Sequence, residues 1–332
     1  MAADIHEQLT KYLTDAHSIE VQALAQLEKA PDVAADPGFE RALREHYAET
    51  ERHERLTRQL LDEREASPNK LKDMIMSIGG KGFLLFARAQ PDTPGKLLAH
   101  ALSYEGLETA SYELLARTAD RAGEPAVSGI AREIGSDERA MMRRLEGCYD
   151  GVVEASLSDV GRDDLSEQLR KYLADAHAIE EQAITMLEKR PTASSYRTDS
   201  GFDQVYEEHL VETREHAELI KERLGALGGD TSSLKDLAMR MGAMNWSAFF
   251  GGHPDTPGKL AAFTFAFEHL EIGGYEQLQR VARRAGDEAT AIMAERILEQ
   301  ERTAAMRIEG MLDEAVTASL EAVGVAPARG GR

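Results

Sequence analysis

Acidic and histidine residues recur at positions where helices should be apolar. Glu20 sits in a stripe made by Leu9, Tyr12, Leu13, Ala16, Ile19, Ala23, Leu24 and Leu27. His46, Glu49 and His53 fall between Phe39, Ala42, Leu43 and Leu56, Leu60. Glu105 and Glu108 continue the run Leu97, Leu98, Ala101, Leu102 toward Tyr112 and Leu115, and Glu138 lies among Ile130, Ile134, Met141 and Leu145. Residues spaced i, i+3, i+4 point one way from a helix. Glu20, Glu49, His53, Glu105, Glu108 and Glu138 therefore face a common interior. A buried charge without a partner costs several kcal/mol or gives up its ionisation. Two divalent cations remove that penalty, because five carboxylates against two M²⁺ leave a charge of about −1. Carboxylate oxygens with few imidazoles suit iron first and manganese second, and the lack of thiolates argues against structural zinc.

The chain contains this pattern twice. Residues 8–31 recur at 168–191 with an offset of 160, which becomes 163 after a longer loop. PDTPGKL at 91–97 returns unchanged at 254–260, and ERxxxxR at 138–144 returns at 301–307. Between 38–63 and 201–226 only nine of twenty-six positions are identical, yet Glu49/Glu212 and His53/His216 are among them. Between 126–150 and 289–313 nine of twenty-five match, Glu138/Glu301 included. Glu20/Glu180, Glu105/Glu268 and Glu108/Glu271 complete the set. Most letters have drifted while the acid–histidine set has not, so two dinuclear sites, about four metal ions per chain, are expected.

The elements that must position these residues are all helical. Ala, Leu, Glu, Arg and Gln dominate, and strand-like alternation is missing. Breakers place helices at 4–29, 38–65, 69–88, 94–121 and 124–157 in the first copy, with Gly123 closing the fourth and Pro125 opening the fifth. Four long helices and one short one mean an antiparallel four-helix bundle, and the long stretch between helices two and three could cross over. A period near 160 residues is too long for a solenoid and reads as domain duplication. The fold class is all-α: two four-helix bundles, 1–160 and 161–332, related by a pseudo-two-fold axis. They are expected to pack through the apolar segments 74–87 and 237–250, an intramolecular pseudo-dimer.

Composition excludes several classes. With 39 Lys+Arg against 59 Asp+Glu the net charge is −20, which makes nucleic acid and anionic membrane surfaces poor partners and cations good ones. A single cysteine, Cys148, excludes a disulfide framework and CxxC metal sites. The N-terminus is amphipathic and acidic, unlike a signal peptide, and no apolar run reaches transmembrane length, so the expected compartment is the cytoplasm.

Taken in order, DAHxIExQ, EHxxETxxHxxL, ExLExxxYE and the ER of the last helix resemble the ferritin-like bacterial stress proteins that include YciE and YciF. The resemblance covers most of each copy. It implies a rubrerythrin-like dinuclear metal site held by Glu20, Glu49, His53, Glu105, Glu108 and Glu138, with Glu180, Glu212, His216, Glu268, Glu271 and Glu301 in the second copy. Met141 and Met142 stand where ferritin-like ExxH sites place histidine, so the site rests on ExxE instead. O₂ or peroxide chemistry is one expectation, with an external electron donor for peroxidase turnover or catalase-type disproportionation without one. A non-catalytic iron-handling protein and a metal-free scaffold are the others.

Some neighbouring residues have two readings. His46 and His209 either ligate or hydrogen-bond a neighbouring acid, and His17 and His177 read as structural. Tyr112 and Tyr275, one turn after Glu108 and Glu271, either donate to a ligand carboxylate or relay a radical. In PDTPGKL, Thr93 reads as an N-cap with Pro94 at the first helical position. If Glu49 and Glu212 are crowded ligands, replacing either with alanine should stabilise the metal-free protein.

Overall fold

The computed structural model describes residues 4–64, 93–161, 164–190, 202–230 and 255–325. Every regular element among them is a helix. The first copy holds α1 (Ile5–Leu27), a 3-10 turn (Ala30–Val33), α2 (Pro37–Asp62), α3 (Thr93–Ala122), α4 (Pro125–Glu146) and α5 (Tyr149–Leu157). The second holds α6 (Leu165–Lys189), α7 (Phe202–Ala226), α8 (Thr256–Arg284), α9 (Glu288–Gly310) and α10 (Leu312–Ala322). The chain divides into two compact units, the second formed by Leu157–Ala322. The predicted short helix at 69–88 and the apolar segments 74–87 and 237–250 lie outside the described residues. No helix among those described is long and apolar enough to cross a membrane.

Local sequence sets the helix ends. Asp4 and Asp36 cap α1 and α2, their carboxylates accepting from His6 N at 3.1 Å and Phe39 N at 2.8 Å. The repeated RAG ends α3 and α8 in the same way. Gly123 and Gly286 take φ of +73° and +71°, which glycine alone adopts without strain. The next residues reach back, Glu124 N to Ala119 O and Asp287 N to Ala282 O, both at 2.9 Å. The expected threonine cap is corrected in the second copy, where Asp255 is the N-cap, Thr256 opens α8 and Pro257 follows. The hydroxyls of Ser156 and Ser319 accept from Gly95 N and Gly258 N at 3.2 and 2.7 Å, satisfying a first-turn donor of α3 and α8. The expected single helix 124–157 is broken in two: Gly147 ends α4 and α5 restarts at Tyr149.

Within the first copy, α1 packs on α2 and α3, and α4 packs on α3 and α2. That ring puts α1 opposite α4 and α2 opposite α3. Consecutive helices α2 and α3 are therefore diagonal rather than adjacent, and the stretch expected to cross over between them lies outside the described residues. The second copy repeats the ring with α6, α7, α8 and α9. One apolar layer of the first bundle joins Leu9, Leu13 and Ala16 of α1 with Leu60 and Leu61 of α2, Tyr112 and Leu115 of α3, and Val127 and Ile134 of α4. It draws on the start of α1 and α4 and the end of α2 and α3, so α1 and α4 run one way and α2 and α3 the other. Burying each of these leucines contributes about 2 kcal/mol, enough to hold the helices against polar groups in the next layer.

Candidate metal centres

In that next layer the apolar stripes give way to charge. Glu20 comes from α1, His46 and His53 from α2, Glu105 and Glu108 from α3, and Glu138 from α4; all six are buried. Four of them, His46, Glu105, Glu108 and Glu138, bring one ligand atom each within 4.8 Å of the others. Glu20, His53 and Glu138 do the same, so Glu138 belongs to both groups. The second copy reproduces the arrangement with His209, Glu268, Glu271, Glu301 and with Glu180, His216, Glu301. These clusters could hold metal ions.

The imidazoles stand between the carboxylates. His46 Nε2 lies 3.2 Å from Glu105 and 3.4 Å from Glu138, and His53 Nδ1 lies 2.8 Å from Glu138 and 3.8 Å from Glu20. In the second copy His209 Nε2 is 2.8 Å from Glu268, and His216 Nδ1 is 2.7 Å from Glu301. Tyr112 donates to Glu20 and Tyr275 to Glu180, which is the hydrogen-bonding reading of those tyrosines. His17 Nδ1 sits 3.0 Å from Thr57 Oγ1, away from the cluster, in the structural role expected of it.

Electrostatics mark the layer as crowded. Burial first, then repulsion from Glu138, pushes Glu20 up to about 8, against the pull of His53 and Tyr112. Burial likewise raises Glu105 to about 7 although His46 opposes it. Glu108 is raised well above the carboxylate range by burial and by Glu138, Glu20 and Glu105. Neither of its oxygens has a hydrogen-bond partner among the described residues, and the same holds for Glu271. Glu138 goes the other way: burial would raise it, but the hydrogen bond from His53 and the charges of both histidines hold it low.

Ten of the twelve predicted site residues meet in these clusters; Glu49 and Glu212 stand outside them. Glu49 is half-buried, its Oε2 3.0 Å from His46 Nδ1 and accepting from Arg144. Burial would raise it, but His46 and Arg144 outweigh that and hold it at about 2. The expected relief of strain on Glu49→Ala is therefore corrected, because this carboxylate is stabilised where it sits. His46 and His209, left between two readings by the sequence, both reach the inner cluster, and His46 also meets an outer acid, Glu49. Asp137 was missed: it sits 3.2 Å from His53 Nε2 and accepts from Arg52. Its second-copy counterpart is Gln300, so identity between copies could not reveal it.

Two helical bundles, each burying a carboxylate-rich cluster crossed by two imidazoles, define a tandem helical protein with sites of metal-binding character. The chain belongs to the DUF892 family: a family model described as "Domain of unknown function (DUF892)" matches residues 4–158 and again 164–321. This is the YciF-type ferritin-like family, present here as two consecutive copies. No solved structure matches the chain.

Proposed function

We propose that each bundle holds a dinuclear carboxylate metal centre, of iron first and manganese second, serving O₂ or peroxide chemistry in an oxidant-related role. In the first copy Glu20, His53 and Glu138 hold one ion and His46, Glu105, Glu108 and Glu138 the other. Glu180, His216, Glu301 and His209, Glu268, Glu271, Glu301 do so in the second. In this reading the two copies act as domains 1–160 and 161–332, each complete with its own centre.

One observation carries the proposal: Glu138 is common to two convergent groups of buried ligand atoms, as a carboxylate between two ions must be. Charge supports it. Four clustered carboxylates balance two divalent ions with neutral imidazoles, whereas without cations the same layer forces protons onto Glu20 and Glu108.

Loaded with two reduced ions, the site would supply the two electrons that, with two protons from solvent, convert O₂ to hydrogen peroxide or hydrogen peroxide to water. The residues around it hold ligands in place. Tyr112 fixes Glu20 through its hydroxyl, and Glu49 fixes the ring of His46 through Nδ1. Arg144 keeps Glu49 ionised at the edge of the site. Repeated turnover on peroxide draws electrons from an external donor, unless the oxidant is disproportionated.

The test is anaerobic loading with Fe²⁺ followed by rapid mixing with H₂O₂ or O₂, together with electron paramagnetic resonance of the Mn²⁺-loaded protein. The expected results are oxidation faster than that of free Fe²⁺ and a spin-coupled Mn²⁺ spectrum. Spectra of isolated, uncoupled ions would contradict a dinuclear centre. Coupled pairs inert to both oxidants would leave iron handling as the role.

A further inference from the structure

The two copies share their inward-facing groups but differ just outside them. Each inward histidine has an outer ring nitrogen. In the first copy His46 Nδ1 meets Glu49 at 3.0 Å and His53 Nε2 meets Asp137 at 3.2 Å. In the second copy His209 Nδ1 lies 3.8 Å from Glu212, beyond hydrogen-bond reach, and His216 Nε2 meets the amide oxygen of Gln300 at 3.3 Å. At the His53 position the inner contact hardly differs, His53 to Glu138 at 2.8 Å against His216 to Glu301 at 2.7 Å, while His209 stands nearer Glu268, at 2.8 Å, than His46 does to Glu105, at 3.2 Å.

The outer acids of the first copy are themselves anchored. Arg52 donates to Asp137 and to Glu133, and Arg144 donates to Glu49. At the positions of Arg52, Glu133 and Asp137 the second copy carries Glu215, Arg296 and Gln300. Arg307, in the place of Arg144, stands 3.5 Å from Glu212. A cation holding a carboxylate on the histidine has thus been replaced by a neutral amide.

We propose that the two centres of one chain are unequal by construction, the first-copy centre taking metal first because carboxylates back both of its imidazoles. Asp137 is the positioning residue that sets the difference. The inference rests on the dinuclear reading above. A carboxylate accepting the outer N–H fixes the tautomer, so that the inner nitrogen presents its lone pair, and pushes electron density into the ring. An amide oxygen orients the ring but carries no charge to strengthen the donor. Outer partners of this kind typically change metal affinity about 10- to 100-fold. A chain built this way fills one centre while the other is still empty, and over a range of metal supply it works half-loaded.

The test is titration of the metal-free full chain with Mn²⁺, following free ion by electron paramagnetic resonance. Two phases are expected, the tighter by about 10-fold or more. Asp137→Asn should weaken the tight phase alone, and Gln300→Glu should strengthen the weak one. Glu133→Gln, which breaks the other contact of Arg52 without touching His53, should leave both phases in place. One uniform affinity, an unmoved tight phase in Asp137→Asn, an unmoved weak phase in Gln300→Glu, or a shift in Glu133→Gln equal to that of Asp137→Asn would each overturn the inequality. The dinuclear reading fails separately, if Mn²⁺ does not bind at all.

Discussion

Replacing Glu108 with leucine is expected to raise the melting temperature of the metal-free protein while lowering that of the metal-loaded one. Glu108 is buried, both its oxygens lack hydrogen-bond partners among the described residues, and three other carboxylates repel it. Leucine has nearly the same volume and needs no partner, so the gain should be about 1–3 kcal/mol. With metal, in the dinuclear reading proposed above, the same change deletes a ligand. At a free metal concentration near a thousand times Kd, a bound ion adds about 4 kcal/mol, and that increment is lost at one position. Glu49→Ala should behave differently. It strips His46 and Arg144 of a partner, so it costs about 1 kcal/mol without metal, the effect kept small by solvent screening at a half-exposed site, and more with metal, because His46 then loses the carboxylate behind it. Melting curves of both variants with and without Mn²⁺ check the pair. A Glu108→Leu protein destabilised in the metal-free state would show that this carboxylate is part of the scaffold.

The metal-free protein should also lose stability as pH rises from about 4.5 to about 8. Burial lifts Glu20 and Glu180 from 4.5 to about 8, and Glu105 and Glu268 to about 7. Through this window the folded state keeps protons that the unfolded chain has released, so each pH step favours unfolding. The histidines act in the same sense. Burial would lower His46, but Glu105 and Glu49 raise it well above 6.5, so its favourable charge is lost as pH climbs through the folded value. Glu138 and Glu49 are lowered, and their stabilisation is lost only on acidification through the low folded values. The expected fall is at least ~3 kcal/mol, since a proton retained in the folded state alone costs about 1.4 kcal/mol for every pH unit climbed. Excess metal should reverse the trend, because ions replace the protons and compete better as pH rises. Denaturant melts at pH 5, 6.5 and 8 measure both slopes. A metal-free stability that is flat or rising over this range would mean the carboxylates are not crowded.

Much of this site was legible because a helix turns its i, i+3 and i+4 residues one way, and because duplication kept the inward letters while others drifted. Glu20, Glu105, Glu108 and Glu138 each sit within a long leucine- or alanine-rich stripe, so their phase is well determined. On α2 it is not. His46 and His53, seven residues apart, are offset by only about 20° around the helix, while Glu49 stands about 60° from His46 and Thr50 about 40° on the other side. Periodicity alone cannot decide between the last two; in the structure Thr50 is buried and Glu49 is half-exposed. A signal was available in the repeated ERxxxxR, whose second arginine, Arg144, is the partner that holds Glu49 outward. Gly147 and Gly310 likewise marked the break after α4 and α9, but a glycine in a helical pattern is tolerated too often to read as a stop. Asp137 was illegible for the opposite reason: its importance lies in a difference between the copies.

The most direct test of the account is the metal content of the chain after reconstitution with Fe²⁺ or Mn²⁺ and removal of loosely bound ions. With Glu138 and Glu301 each shared between two ions, as proposed, about four ions are expected in the wild type, about two in Glu138→Ala, and close to none in the double variant Glu138→Ala/Glu301→Ala. A wild type that retains almost no metal, or a Glu138→Ala protein that retains four ions, would contradict it.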